Sequence, residues 1–258
     1  MSETGSPFSA AEQGLGYIFQ PRFALLRILA LPEDCVVYIE RNDDVEFEAA
    51  DGRISLASLK HKAQGDRLSD LSTDFWKSVR IWLAHYKATG RAGSNAYFLL
   101  FTTAVISTGS FLEQFADTDA DGDARAKDAS NALAASQSKE IAKVKADLAD
   151  LSADEAIDFY ACITIFPDTP RIDKIPKLIN RRLITVGSQS RQDLFERLEG
   201  WWLNQIIEFL SGKRTEPIKV QEVTDKLAVL ADEYKVDNLP ITFGDSLPEG
   251  GVIDAPTS

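Results

Sequence analysis

Apolar and polar positions alternate between two periods along this chain. In "LGYIFQPRFALLRILAL", Phe23, Leu26 and Leu29 recur at helical spacing with Leu25 and Ile28 beside them, which predicts an amphipathic helix. Pro21 suits a first helical turn or marks a kink, and so places Gln20 at or near the helix start. "CVVYIE" and "DVEFE" predict two strands, "ADGR" a turn, and "ISLASLKH" a third strand. "LSTDFWKSVRIWLAHYKATG" is the clearest helix. Ser72 or Thr73 can cap it, Asp74 suits its first turn and Gly90 its end, while Phe75, Val79, Trp82, Leu83 and Tyr86 share one face. "AYFLLFTTAVI" is apolar on both faces and reads as a fully buried strand. Helix, three strands, helix, strand is the order of an α/β core.

Beyond it the pattern loosens. Residues 117–131, "DTDADGDARAKDASN", predict a flexible acidic loop, and 132–160 a helical stretch. "CITIFPDTP" reads as a strand ended by prolines, followed by two long amphipathic helices. The first of these carries Trp201 and Trp202, and since neighbours on a helix point about 100° apart, only one indole faces the core. The expected organisation is a disordered leader (1–13), an α/β module (14–185), a helical C-terminal part offering an oligomerisation or partner surface (186–245), and a mobile tail (246–258). There is no internal repeat.

Composition narrows the class. Of 258 residues, 44% are apolar and 26% charged, enough for a sizeable globular core. No apolar run approaches membrane-spanning length, and "MSETGSPFSAAEQ" lacks the basic start and apolar stretch of a secretory signal, so the expectation is a cytoplasmic protein without membrane contact. Cys35 and Cys162 sit in strand-like apolar runs and read as buried free thiols in a reducing compartment. Two histidines make a His-rich zinc site improbable. The net charge of −12 neither supports nor excludes nucleic acid, because the charge is patchy: 171–197 carries seven Lys/Arg against three acids.

The candidate chemistry lies in "DDVEFEAADGRISLASLKHK" (43–62). Metal-dependent phosphodiester cleavage needs carboxylates to hold a divalent cation and an ammonium to offset developing charge. Asp43, Asp44, Glu46 and Lys60 are of the right types, and register decides which acid meets the lysine. A two-residue turn at Asp51–Gly52 puts Lys60 on the face of Asp43, whereas a three-residue turn ending at a left-handed Gly52 puts it with Asp44. A second candidate is weaker. Asp117, Asp119, Asp121, Gly122 and Asp128 fall at EF-hand positions, but Asp128 is one methylene short of the usual Glu and no partner loop exists, so a flexible acidic loop is the better account. Lys62, Arg67, Lys77 and Arg80 could form a DNA-facing rim that holds the backbone without reading sequence. Arg171, Lys174, Lys177, Arg181 and Arg182 form a further basic cluster that suits DNA or a protein partner.

The series "GYIFQ…ALLRIL", "VVYIERNDDVEF", "SLASLKHK" and "LSTDFWKSVRIW" resembles the N-terminal nuclease module of CD-NTase-associated endonucleases. It is more similar still to the effector subunit of Lamassu (ABC-three-component) antiphage systems. The similarity covers 14–106 well and 160–240 loosely. It implies a PD-(D/E)xK restriction-endonuclease-like core, a mixed central sheet flanked by helices, followed by a helical C-terminal part. Gln20 then matches the polar residue of the first helix, Asp44 the metal-binding aspartate helped by Asp43, and Lys60 the catalytic lysine. The implied cofactor is Mg²⁺ or Mn²⁺. The implied partners are double-stranded DNA, an SMC-like ABC ATPase, a small third subunit and further copies of the chain. Ser58 departs from the pattern: it stands where the family has Gln or Glu. Glu40, Asp43 or Glu46 must compensate, or the chain is an inactive adaptor.

Overall fold

The computed structural model describes residues 10–90, 95–117 and 120–235; the expected tail, and the first nine residues of the expected leader, lie outside them. In chain order the elements are α1 (Ala10–Ile28), β1 (Val36–Ile39), β2 (Val45–Glu48), β3 (Ile54–Lys60), β4 (Arg67–Leu68), α2 (Thr73–Ala88), β5 (Ala96–Thr102) and β6 (Val105–Ile106). After a 3₁₀ turn at Phe111–Phe115 come α3 (Gly122–Ala135), α4 (Lys139–Leu148), α5 (Ala153–Ala161), β7 (Ile163–Phe166), α6 (Ile175–Asn180), α7 (Arg191–Leu210), β8 (Ile218–Lys219) and α8 (Val220–Asp232).

The main sheet has six strands in the order β7-β5-β3-β2-β1-β8. β3, β5 and β7 run parallel, and β3-β2-β1-β8 pair antiparallel. β1 therefore points the same way as β3, and the C-terminal ends of β1, β3, β5 and β7 share one edge with the start of β2. Alternation along the strands feeds two cores. Val37, Ile39, Val45, Ala57, Leu59 and Phe101 face α1, α6, α7 and α8. Leu56, Phe98, Leu100, Ile163 and Ile165 face α2 and the α3–α5 group. Helices on both faces make this a mixed α/β sandwich of three layers. The segment 186–245, expected as a helical part following the module, contributes α7, β8 and α8 to the same core as α1.

Several expectations are corrected. Gln20 is not at a helix start: the helix-favouring "AAEQ" extends α1 back to Ala10 and leaves Pro21 in its interior. The Pro21 carbonyl accepts a hydrogen bond from the indole of fully buried Trp202 at 2.7 Å, while Trp201 is half-buried against the same core. The acidic stretch 117–131 is largely helix rather than flexible loop. Asp121 caps α3 by accepting from the Asp123 amide, and Gly122 allows α3 to close on α5, since a Cβ there would meet the Ile157 carbonyl at 3.2 Å. Asp119 lies outside the described residues; Asp128 is on the helix and accepts from Gln114, so these acids do not form an EF-hand loop. Residues 132–160 divide into the end of α3, α4 and α5, the last opened by a Ser152–Glu155 capping box.

Both cysteines are free thiols, Cys35 buried and Cys162 half-buried, and burial pushes the Cys162 thiol up to about 11. No helix among the described residues is long and apolar enough to cross a membrane.

Candidate active site at the sheet edge

The β2–β3 hairpin settles the register. Val45 pairs with Ala57, Glu48 with Ile54, and the Ala49 amide bonds the Arg53 carbonyl at 2.9 Å, leaving a three-residue turn that ends at Gly52, whose φ of 81° needs a residue without Cβ strain. Asp44 and Lys60 consequently lie on one side. Asp44 Oδ2 accepts from Lys60 Nζ at 3.1 Å and from the Leu59 amide at 2.6 Å. Asp44 Oδ1 has no donor among the described residues.

Two further groups join them. The β1–β2 turn closes through the Glu40 amide bonded to the Asp44 carbonyl, and Glu40 itself is left-handed at φ 54°. A non-glycine residue in that region costs roughly 1–3 kcal/mol and persists only where its surroundings enforce it. Gln20, from the middle of α1, lies close enough to the Glu40 side chain to favour its ionised form. Burial and then the charge of Asp44 push the Glu40 carboxyl above its usual range, with Lys60 and Gln20 opposing. Gln20, Glu40, Asp44 and Lys60 thus converge from α1, β1, β2 and β3 on one edge. Sequence reading named Glu40 only as one of three compensating acids. The available signal was its position immediately after β1, on the parity of Tyr38.

Asp43, expected to share a cation with Asp44, turns inward instead. It is 7% exposed; Oδ1 accepts from the Asp44 amide at 2.9 Å and Oδ2 from the Trp82 indole on α2 at 2.6 Å. Both oxygens are engaged, so Asp43 fixes the orientation of Asp44 and leaves the edge to Glu40. Burial, and next the neighbouring Asp44 charge, raise the Asp43 carboxyl to about 6. Between the unfolded value near 4 and about 6 the folded state binds more protons, so this group's contribution to stability falls as pH rises through that window. Asp43→Asn removes the titration. The stability difference is expected to move by about 2 kcal/mol in the variant's favour between pH 4 and pH 7, read by urea unfolding of both proteins in EDTA.

The other compensating acid is occupied. Glu46 is fully buried on the α2 face, held by the Arg41 guanidinium through both oxygens and by Asn42 at 2.7 Å, while Arg41 stacks 3.2 Å from the Tyr38 ring centre. Ser58 is also fully buried and accepts from Ser78 of α2 at 2.7 Å. Two small side chains at this crossing let α2 lie close on β3, which gives the departure at position 58 a packing reason.

The expected basic rim does not form one surface. Lys62 is ion-paired with Asp74 at 2.8 Å beside the site, and Arg67 is exposed on β4. Lys77 and Arg80 face the opposite side of α2, where with Lys139 and Lys143 they line a groove of about 300 Å³ against α4. Sequence reading did not include the two α4 lysines.

Among the described residues no three His, Cys, Asp or Glu side chains gather as a metal cluster. The donors present are two carboxylates, Asp44 and Glu40, and the Gln20 amide. That set fits Mg²⁺ or Mn²⁺, which commonly take one or two carboxylates and complete their shell with water and phosphate oxygens. The like-charge coupling of Glu40 with Asp44 is the strain such a cation relieves.

No protein-family model matches the sequence, and no curated protein matches it. Solved structures do. The chain is similar to an Acinetobacter baumannii Cap4 SAVED/CARF-domain containing receptor, with 13% identity and a TM-score of 0.50 over 88% of this chain and 48% of that one. The Moraxella osloensis Cap4 receptor matches at 18% identity and TM-score 0.47, over 86% of this chain and 48% of that one. The A. baumannii receptor with the cyclic trinucleotide 3'3'3'-cAAA matches at 13% and 0.49, over 88% and 46%. The chain therefore spans about half the length of these receptors. The A. baumannii receptor matched at a TM-score of 0.50 shares the α/β fold, and its description names a SAVED/CARF-domain receptor rather than a Lamassu effector.

Proposed function

We propose that the chain is a metal-dependent nuclease of the PD-(D/E)xK type, acting as an effector in bacterial antiphage defence. The contact between Asp44 and Lys60 across the hairpin, with Glu40 held left-handed beside it, carries this reading. Asp44 and Glu40, with Gln20, would hold Mg²⁺ or Mn²⁺, which when bound supplies charge neutralisation and an activated water. Lys60 orients the attacking water and offsets charge on the phosphate. The Leu59 amide and Asp43 keep Asp44 aimed at Lys60, and Gln20 keeps Glu40 extended toward the edge. Double-stranded DNA as substrate, an SMC-like ABC ATPase, a small third subunit and self-association belong to the same proposal, through the resemblance in sequence.

A second reading, a nuclease-fold adaptor without cleavage, is favoured by the burial of Ser58 where the family places a ligand. One experiment separates the two. Plasmid DNA is incubated with the protein and Mg²⁺ or Mn²⁺, beside Glu40→Ala and Ser58→Ala. If Glu40 has taken over the missing ligand, Glu40→Ala lowers nicking by about a hundredfold. Ser58→Ala then changes it less than about twofold and lowers stability by about 1 kcal/mol through the lost hydrogen bond. Wild-type protein that nicks nothing with either metal supports the adaptor.

A further inference from the structure

A cleft of about 610 Å³ opens between α1, α6 and the ends of β5 and β7, on the same sheet edge as the site above. Its floor is aromatic. The rings of Phe101 and Phe166 stack 4.6 Å apart at 10°, and Phe166 is 38% exposed. Its rim is cationic. Arg27 lies 5.3 Å from the Phe101 ring centre, and Arg181 and Arg182 stand on the segment after α6, Arg182 with one guanidinium nitrogen donating to the Leu26 carbonyl and Arg181 exposed. None of the three arginines has a carboxylate partner among the described residues. Burial and the nearby Arg182 charge lower the Arg27 pKa, as expected for like charges gathered without a counter-ion. The carboxylate that lines the cleft belongs to Asp168, exposed and left-handed at φ 51°. Beside it the Thr169 hydroxyl is buried with no hydrogen-bond partner. Rings, surplus cations and an unused hydroxyl at the ends of parallel strands are the elements of a ligand site.

We infer that this cleft is a subsite for an unpaired nucleotide of the bound strand, whose base stacks on Phe166 and whose flanking phosphates pair with Arg181, Arg27 and the remaining donors of Arg182. Arginine matches phosphate bidentately, and an aromatic face accepts any base. Arg27 lies seven residues beyond Gln20 on α1, about 10 Å along the helix. The site and the cleft therefore border the same helix at the same edge of the sheet. The subsite deepens the nuclease reading, and binding measured without cleavage keeps the two separable.

The probe is a fluorescein-labelled single-stranded thymidine octanucleotide, followed by anisotropy in EDTA at fixed low salt. Arg181→Glu is expected to raise Kd about fivefold or more, and Phe166→Ala similarly, with Phe166→Trp restoring wild-type affinity. Because both positions are exposed, unchanged circular dichroism verifies folding. Phe166→Ala within twofold of wild type overturns the subsite, as does displacement of the strand by a polyglutamate peptide as readily as by unlabelled strand. If the shifts appear but wild-type protein with metal cuts no DNA, the nuclease reading falls and the subsite stands. Cleavage with neither shift sinks the subsite alone.

Discussion

Replacing Lys60 with methionine is expected to lower metal-dependent DNA cleavage by about a hundredfold or more, in line with the loss of one charge-stabilising donor from a preorganised site. Methionine keeps most of the aliphatic stem, and Lys60 is partly exposed, so the fold should survive. The ammonium sits 3.1 Å from Asp44, and in the proposed mechanism it is the cation that would meet the phosphate. Removing it also leaves Asp44 and Glu40 uncompensated, so metal affinity should hold or rise while turnover collapses. Calorimetric titration with Mn²⁺ beside plasmid nicking distinguishes the outcomes. Loss of both metal binding and cleavage points to a collapsed edge, and retained cleavage removes Lys60 from the chemistry.

Arg125→Met is expected to give the largest loss of stability, about 3–5 kcal/mol, or roughly 10 °C in melting temperature for a chain of this size. Arg125 is 2% exposed on α3 and lies over the Phe115 ring. Its guanidinium donates to the carbonyls of Tyr160, Ile163 and Asp117. It therefore joins α3 to the start of β7 and to the end of the preceding 3₁₀ turn. Methionine fills part of the volume but donates nothing: the Tyr160 carbonyl keeps the Cys162 amide and the Asp117 carbonyl the Ala120 amide, whereas the Ile163 carbonyl loses its donor, and a lost buried partner of this kind costs about 1–3 kcal/mol. Thermal unfolding followed by circular dichroism measures the effect, and a shift below 2 °C would show that water takes over the guanidinium's contacts.

Much of the architecture was legible from pattern because β3 and α2 are long and buried on the expected faces, and β5 is a continuous apolar run, although Tyr97 is exposed and the run divides into β5 and β6 rather than one fully buried strand. The hairpin alternatives were legible as well, since alternation allows only two registers; choosing between them needed the left-handed conformation of Gly52. The stretch 117–131 was misread because its acids outweighed a helical framework that depends on remote partners. Arg125 finds two of its three carbonyls 35 and 38 residues downstream, and Gly122 matters only once α5 lies against it. Glu40 could be named but not selected, because its role arises from a backbone conformation. The division of labour between Asp43 and Asp44 required knowing that Trp82 arrives from the far side of the hairpin.

The two ends of the main sheet bear on how copies of this chain could join. One end finishes in β8, only two residues long, and the other in β7, which runs straight into Pro167 and Pro170. Neither offers a long row of free main-chain donors, since the first is too short and proline has no N–H to give. Strand-by-strand fusion into a shared ribbon is thus disfavoured at both margins, where β8 offers two residues and β7 four before Pro167. Self-association would have to dock side chains on side chains, which makes its geometry adjustable by surface substitutions that leave the sheet untouched.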